Sequence, residues 1–324
     1  MSSFSAMRTA SGETVRLKKC DMEKIKNKKV KPLPTNGAAK IGKALQPPKI
    51  RVAIQGIATS FHEVAAMTFF GASQLETVEC LSFHTLCESL DKGECNYAVV
   101  AIENSIAGSI LPNYFLLQSY HFSIIGELYL PIHMHLLALP GVKREDIRCI
   151  ESHPMAIRQC AEFIHSLTGV EVRESDDTAL SAKRVKDMKL KDTAAIANEF
   201  AAKKFGLEIL EKRIETHKKN FTRFLVLAKR SNGQGDSNKA SLSFEVAHEV
   251  GSLAETLMIF KNNNINLTKI QSIPIIGKPS EYSIHVDVEW KKRKSYDDAI
   301  HQILRQVKNL NILGEYKKAK IEYT

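Results

Sequence analysis

No stretch of the sequence approaches the ~18 consecutive apolar residues of a membrane-spanning helix, so neither a helical span nor a membrane partner is expected. Cysteine is sparse and irregularly spaced. Cys20, Cys80, Cys87, Cys95, Cys149 and Cys160 form no C-x-x-C pair and no zinc-type spacing with His. They read as free thiols of a reducing cytoplasm, with no metal site. The opening residues lack the 7–15-residue apolar segment of a secretory signal. They are poor in acids and rich in Lys, Ser and Thr, which is compatible with an organelle transit peptide. Arg is scarce there, and a disordered basic arm is the expected reading. The shortage of acids is confined to this arm: residues 1–49 hold 12 Lys/Arg against 3 Asp/Glu, and the remainder holds 34 against 33. A near-neutral folded part excludes a phosphate-tracking groove, so no nucleic-acid partner is expected.

What is present is ordinary globular chain. The 324 residues are 44% hydrophobic and 25% charged, enough for two domains. Pro32, Pro34, Gly37, Gly42, Pro47 and Pro48 mark one linker, and the polar run 229–239 marks another. The expected division is an arm over 1–49, a core over 50–230, a connector over 231–239 and a C-terminal unit over 240–324. In the core, strands such as RVAIQG, TVECLSF, YAVVAIEN, DIRCIES and RFLVLAK alternate with apolar-periodic helices. IIGELYLPIHMHLLAL reads as one strand-like stretch, MAIRQCAEFIHSL as one helix, and Ala194 to Phe205 as helical material. This predicts an α/β core of open, mostly parallel sheets with ligands at strand-to-helix junctions. The C-terminal unit reads βαββαβ, the ferredoxin-like order.

The core's junctions share a chemistry. They are Gly56-Ile57-Ala58-Thr59-Ser60, Glu103 through Ser109, Ser152-His153-Pro154 and Asp176-Asp177-Thr178. Each places hydroxyl or amide groups where helix N–H groups are unpaired. Four such termini on one cleft would suit carboxylates, whereas singly each is a plain N-cap. Asn220-Phe221-Thr222-Arg223-Phe224 adds a hydroxyl at the mouth of a strand.

Together these segments resemble the prephenate dehydratase family with a C-terminal ACT domain, from Arg51 to near Lys318. The family's Thr-Arg-Phe motif stands as Thr222-Arg223-Phe224. Its Glu-Asn/Ser-Ser-x-x-Gly segment stands as Glu103-Asn104-Ser105-Ile106-Ala107-Gly108, and its Ser-His-Pro segment runs from Ser152 to Gln159-Cys160. The Gly-rich opening element resembles residues 55–63, although a second Gly usual there is Thr59 or Ala58 here. The resemblance implies a two-lobed, periplasmic-binding-protein-like core with the site between lobes. It implies loss of CO2 and the ring hydroxyl from prephenate, giving phenylpyruvate, with no metal or organic cofactor. By resemblance, Thr222 hydrogen-bonds the departing hydroxyl and Glu103 is a candidate proton source. Asn104, Ser105, Ser152 and Gln159 join them in the catalytic set. Ser60, Gly108, Thr178, Phe221, Arg223 and Phe224 are expected to bind substrate.

The ACT resemblance implies phenylalanine as an allosteric effector, held near Gly251, Ser252, Leu253, Asn266 and Leu267 in a homodimer or homotetramer. The family's Glu-Ser-Arg-Pro motif appears as Gln271-Ser272-Ile273-Pro274, losing both charges of a segment tied to the phenylalanine response. Three readings follow: a cytoplasmic prephenate dehydratase of phenylalanine biosynthesis, the same chemistry on arogenate, and a two-lobed sensor of a carboxylated ligand.

Overall fold

The computed structural model describes residues 49–230 and 235–321. The arm expected over 1–49 lies outside them except for Lys49, as do Cys20 and four connector positions. The other five cysteines are buried free thiols.

The first lobe carries β1 (Ile50–Gln55), α1 (Phe61–Phe70), β2 (Leu75–Cys80), α2 (Phe83–Lys92), β3 (Tyr97–Asn104), β4 (Gly108–Ser109), α3 (Leu111–Tyr120) and β5 (Ser123–Pro131). The second carries β6 (His135–Ala138), β7 (Cys149–Ser152), α4 (Pro154–Gln159), α5 (Ala161–His165), β8 (Glu171–Glu174), α6 (Thr178–Asp187), β9 (Thr193–Ala197), α7 (Glu199–Phe205) and β10 (Glu208–Glu211). The chain then returns through β11 (Phe221–Ala228), which enters the first sheet between β3 and β5. The sheet orders are β2-β1-β3-β11-β5 and β10-β6-β9-β7-β8. Two crossings of the chain therefore join two α/β lobes.

Four expectations are corrected. Both sheets are mixed: β1 pairs parallel with β2 and β3, but β11 pairs antiparallel with β3 and β5. In the second lobe β6 is likewise antiparallel to β9 and β10. The stretch IIGELYLPIHMHLLAL is two strands in different sheets, because the chain crosses between lobes after Pro131. MAIRQCAEFIHSL is two short helices that meet at Cys160, whose thiol packs on Met134 Sδ at 3.7 Å. Ala194–Ala197 are strand, not helix. Each is fully buried between neighbouring strands and covering helices, and that burial overrides the helix preference of alanine.

The C-terminal unit is β12 (Lys239–Glu245), α8 (Ser252–Asn262), β13 (Asn266–Pro274), β14 (Tyr282–Glu289), α9 (Arg293–Ile303) and β15 (Lys308–Tyr316). Its antiparallel order β13-β14-β12-β15 is the ferredoxin-like arrangement. Strand alternation gives the sheet two faces. Ala240, Leu242, Phe244, Ile284, Val286 and Val288 face the helices. Lys239, Ser241, His285 and Asp287 belong to the other face and pack on the first lobe. Ile273, Leu313 and Tyr316 share an apolar cluster with Ile102, Tyr114, Ile124 and Leu225 of that lobe.

Candidate active site

A cleft of about 300 Å³ opens between the two lobes. All four strand-to-helix junctions contribute to its lining: Ser60 from the first, Asn104 and Ala107 from the second, His153 from the third, and Asp176, Asp177 and Thr178 from the fourth. β11 adds Thr222 and Phe224, and Phe61, Phe83, Ile110, Ile132, Met134 and Met155 make the apolar part. The lobes also touch directly, since Asn198 Nδ2 donates to the Thr59 carbonyl at 2.7 Å.

One buried amide network holds the Thr222 hydroxyl. Asn104 Nδ2 donates to Thr222 Oγ1 at 3.0 Å and to Asn220 Oδ1 at 2.8 Å. Asn104 Oδ1 accepts from the Ile106 and Ala107 amides at 3.0 and 2.9 Å and from Gln159 Nε2 at 3.3 Å. Asn220 Nδ2 in turn donates to Gln159 Oε1 at 2.9 Å. The chain of donors and acceptors fixes which end of each amide is which. Because Thr222 Oγ1 receives an N–H, its own proton is left to point elsewhere, and the cleft lies beside it.

The junction amides are largely taken by the chain itself. The Ser60 hydroxyl accepts from the Glu63 amide at 3.4 Å, His153 Nδ1 from Met155 at 3.1 Å, and Asp177 Oδ1 from Leu180 at 2.9 Å. These are N-caps in the ordinary sense. Since His153 Nδ1 accepts, its neutral ring carries the proton on Nε2. Thr59, where the family resemblance leads one to look for glycine, adopts φ 77°. Its amide bonds Glu63 at 2.6 Å and its carbonyl is held by Asn198, which offsets the strain of a β-branched residue there.

Comparison with known proteins gives this cleft its context. A model of the prephenate dehydratase family matches residues 52–232. Arogenate dehydratase/prephenate dehydratase 1, chloroplastic, of Arabidopsis thaliana is 37% identical over 233 residues, covering 71% of this chain and 59% of that one. Arogenate dehydratase/prephenate dehydratase 2, chloroplastic, of the same plant is 36% identical over 283 residues, covering 83% and 73%. The crystal structure of prephenate dehydratase from Arthrobacter aurescens in complex with L-Phe is matched with a TM-score of 0.75 at 26% identity, over 83% of this chain and 90% of that one. This chain belongs to the prephenate dehydratase family.

Among the residues that the family resemblance singles out, Thr222, Asn104, Gln159, Ser60, Thr178 and Phe224 meet at the cleft. Several others do not. Glu103 lies on the opposite face of its sheet, where Lys269 Nζ approaches at 3.1 Å and Arg223 at 3.9 Å. Ser105 accepts from the Phe221 amide at 2.9 Å and is exposed away from the cleft. Ser152 is buried and donates to the Ile196 carbonyl at 2.7 Å, a structural role. Gly108 pairs with Asn104 in β4, leaving Ala107 as the residue at the cleft wall. Phe221 lines the far-side recess with Glu103 and Ser105.

Arg223 is the largest correction. Its Nε donates to Glu127 at 2.7 Å, its Nη2 to Tyr316 Oη at 3.1 Å, and its Nη1 pairs with Asp287. Lys239 completes the cluster, 3.0 Å from Glu127. Burial opposes the charge of Asp287, but Arg223, Ser241 and Lys239 outweigh it and hold that carboxyl below the ordinary range. The guanidinium thus ties the strand of Thr222 to the C-terminal sheet and has no access to the cleft.

Sequence reading gave no individual site role to Asn220, His62 or Asp177, although Asn220 and Asp177 stand in the quoted segments. Asn220 stands inside the quoted motif, and its amide was the available signal. His62 lies edge-on to Phe224 at 5.1 Å between ring centroids, and burial pushes its imidazole down to about 3. Asp177 reads locally as a cap, and only the folded chain brings it against the other lobe. The residues that the resemblance assigns to phenylalanine binding separate as well. Gly251, Ser252 and Leu253 stand at the start of α8, whereas Asn266 and Leu267 begin β13 beyond its far end. An 11-residue helix puts roughly 16 Å between them in one subunit.

Proposed function

We propose that this chain catalyses the decarboxylative dehydration of the prephenate class: prephenate to phenylpyruvate, CO2 and water, or its amino counterpart arogenate to phenylalanine. The observation that carries the reading is the Thr222 hydroxyl, polarised by Asn104 at the cleft. In the reaction the bond from ring to carboxylate breaks, its electron pair enters the ring, and the opposite C–O bond breaks. The departing hydroxyl takes up one proton, drawn in net from solvent, and leaves as water. Aromatisation supplies the driving force, so positioning and hydrogen bonding to the leaving oxygen are what the protein must provide. Thr222 donates to that oxygen as positioner and relay. Glu103, ion-paired on the far face, takes no part. Asn104, Gln159, Ser60 and Thr178 orient the substrate, and Phe224 packs on its ring.

The C-terminal sheet serves as an ACT unit that binds phenylalanine. The distance between the α8 start and Asn266-Leu267 favours a pocket completed by a second subunit, hence a homodimer or a tetramer of dimers. The cytoplasm is the proposed location. Among the described residues no helix is long and apolar enough to cross a membrane.

Product formation from prephenate and from arogenate, with and without phenylalanine, tests the reading. Thr222→Ala is expected to lower kcat by at least about a hundredfold on whichever substrate is used, with a small change in KM. Unchanged turnover in that variant would remove Thr222 from the mechanism. Absence of turnover by the wild-type chain, with a carboxylated ligand still bound, would leave a sensor.

A further inference from the structure

The cleft is short of positive charge for a dianionic substrate. Among the described residues that line it there is no Lys or Arg, whereas Asp176 and Asp177 are both present. Burial lowers the His153 imidazole and pushes His62 down to about 3, so both rings are neutral near pH 7.

Negative groups gather at the end of the cleft where α1 begins. The Ala58 amide donates to Glu79 at 2.7 Å and the Thr59 amide to Glu63 at 2.6 Å. Two backbone donors of the loop before α1 are therefore occupied by carboxylates of the chain. Asp177 reaches the same end from the opposite lobe. One carboxyl oxygen caps α6 through the Leu180 amide, and the other stands 2.6 Å from where a Cβ on Gly56 would lie. Gly56, at φ 90°, is the residue that makes room for it. Burial pushes the Asp177 carboxyl up, and Glu79 adds to the effect although the cap bonds oppose it.

We propose that Asp177 is the specificity-determining residue of the cleft: it receives a cationic α-amino group, so the site prefers the cyclohexadienyl amino acid, arogenate, over its keto counterpart prephenate. The inference rests on the dehydratase reading. An ammonium at this end neutralises Asp177 and lowers the net charge brought into a low-dielectric cleft. A carbonyl there leaves the carboxylate unpaired and both substrate charges uncompensated. Asp177 acts on the side chain of the substrate, away from the bonds that break.

The test compares kcat/KM for arogenate and prephenate in the full chain and in Asp177→Asn. Asn keeps the oxygen that caps α6 and removes only the charge. The wild-type chain is expected to favour arogenate by at least about tenfold, near 1.4 kcal/mol, and Asp177→Asn to lower that ratio by a similar factor. Asp177→Ser, which also retains a capping oxygen, is expected to give the same shift and guards against a folding defect in either variant. A smaller wild-type preference, or a ratio that both variants leave within tenfold of wild type, overturns the proposal and returns Asp177 to a cap. Turnover of neither substrate by the wild-type chain would instead remove the dehydratase reading on which it stands.

Discussion

Asn104 shows how much one amide can decide. Its nitrogen faces Thr222 and Asn220, and its oxygen gathers two backbone amides and Gln159, so the side chain has a single consistent orientation. A carboxylate of the same shape has no N–H to offer and would draw the Thr222 proton inward. The Glu103-Asn104 pair in the sequence thus carries two unlike roles, one at the site and one in an ion pair behind it. His62 is informative in the opposite sense, because it stays uncharged. Its ordinary pKa near 6.5 falls to about 3 on folding, so between those values the unfolded chain binds a proton that the native chain does not. Stability is therefore expected to decline as pH falls from about 6.5 toward 3. His62→Gln should flatten that slope, as read by urea unfolding of both proteins at pH 7 and pH 4.5.

Elements explain why half of the expected substrate contacts sit elsewhere. Side chains alternate across a strand, so neighbours in sequence face opposite ways. In β11, Thr222, Phe224 and Val226 face the cleft side, while Arg223, Leu225 and Leu227 face the C-terminal unit. β3 repeats the rule with Asn104 against Glu103. Alternation sets Thr222 and Arg223 on opposite faces, and the fold decides which face is the cleft. The contact of β15 with β5 supplies a sharper case. A Cβ on Gly314 would fall 2.1 Å from the Ile124 carbonyl oxygen, a backbone atom that cannot swing aside. Gly314→Ala is expected to cost about 2–3 kcal/mol through overpacking, seen as a lower melting temperature. An unchanged Tm would show that the C-terminal sheet is not seated on β5 in solution.

For the whole molecule, the buried cluster around Arg223 sets how firmly the C-terminal sheet holds β11, the strand of Thr222. Glu127 and Asp287 come from different units, and Arg223 lies between them. Removing the guanidinium leaves two buried carboxylates, with Lys239 as a remaining counter-charge to Glu127. Arg223→Ala is expected to destabilise the protein by about 3–5 kcal/mol in denaturant unfolding, because unpairing buried charge costs more than the pair contributes. A loss below 1 kcal/mol would mean that water reaches the cluster.

The sequence by itself determined the arrangement of the parts: strand and helix alternation, the βαββαβ ending, four polar junctions and the order of the motifs. These are local patterns of period, cap and turn, and local physics suffices to form them. It also carried the family resemblance, because the motif residues and their order are written along the chain. What only the tertiary structure decided were matters of facing and of partnership. Ala194–Ala197 became strand because both faces of the position are covered, and one apolar stretch became two strands because the chain crosses lobes within it. Glu103 and Arg223 left the site because a second sheet, distant in sequence, offers their charges partners. Asp177 entered it because the lobes close on Gly56. A charge settles where its solvation or pairing is best, and the groups that supply this are assembled only by the fold.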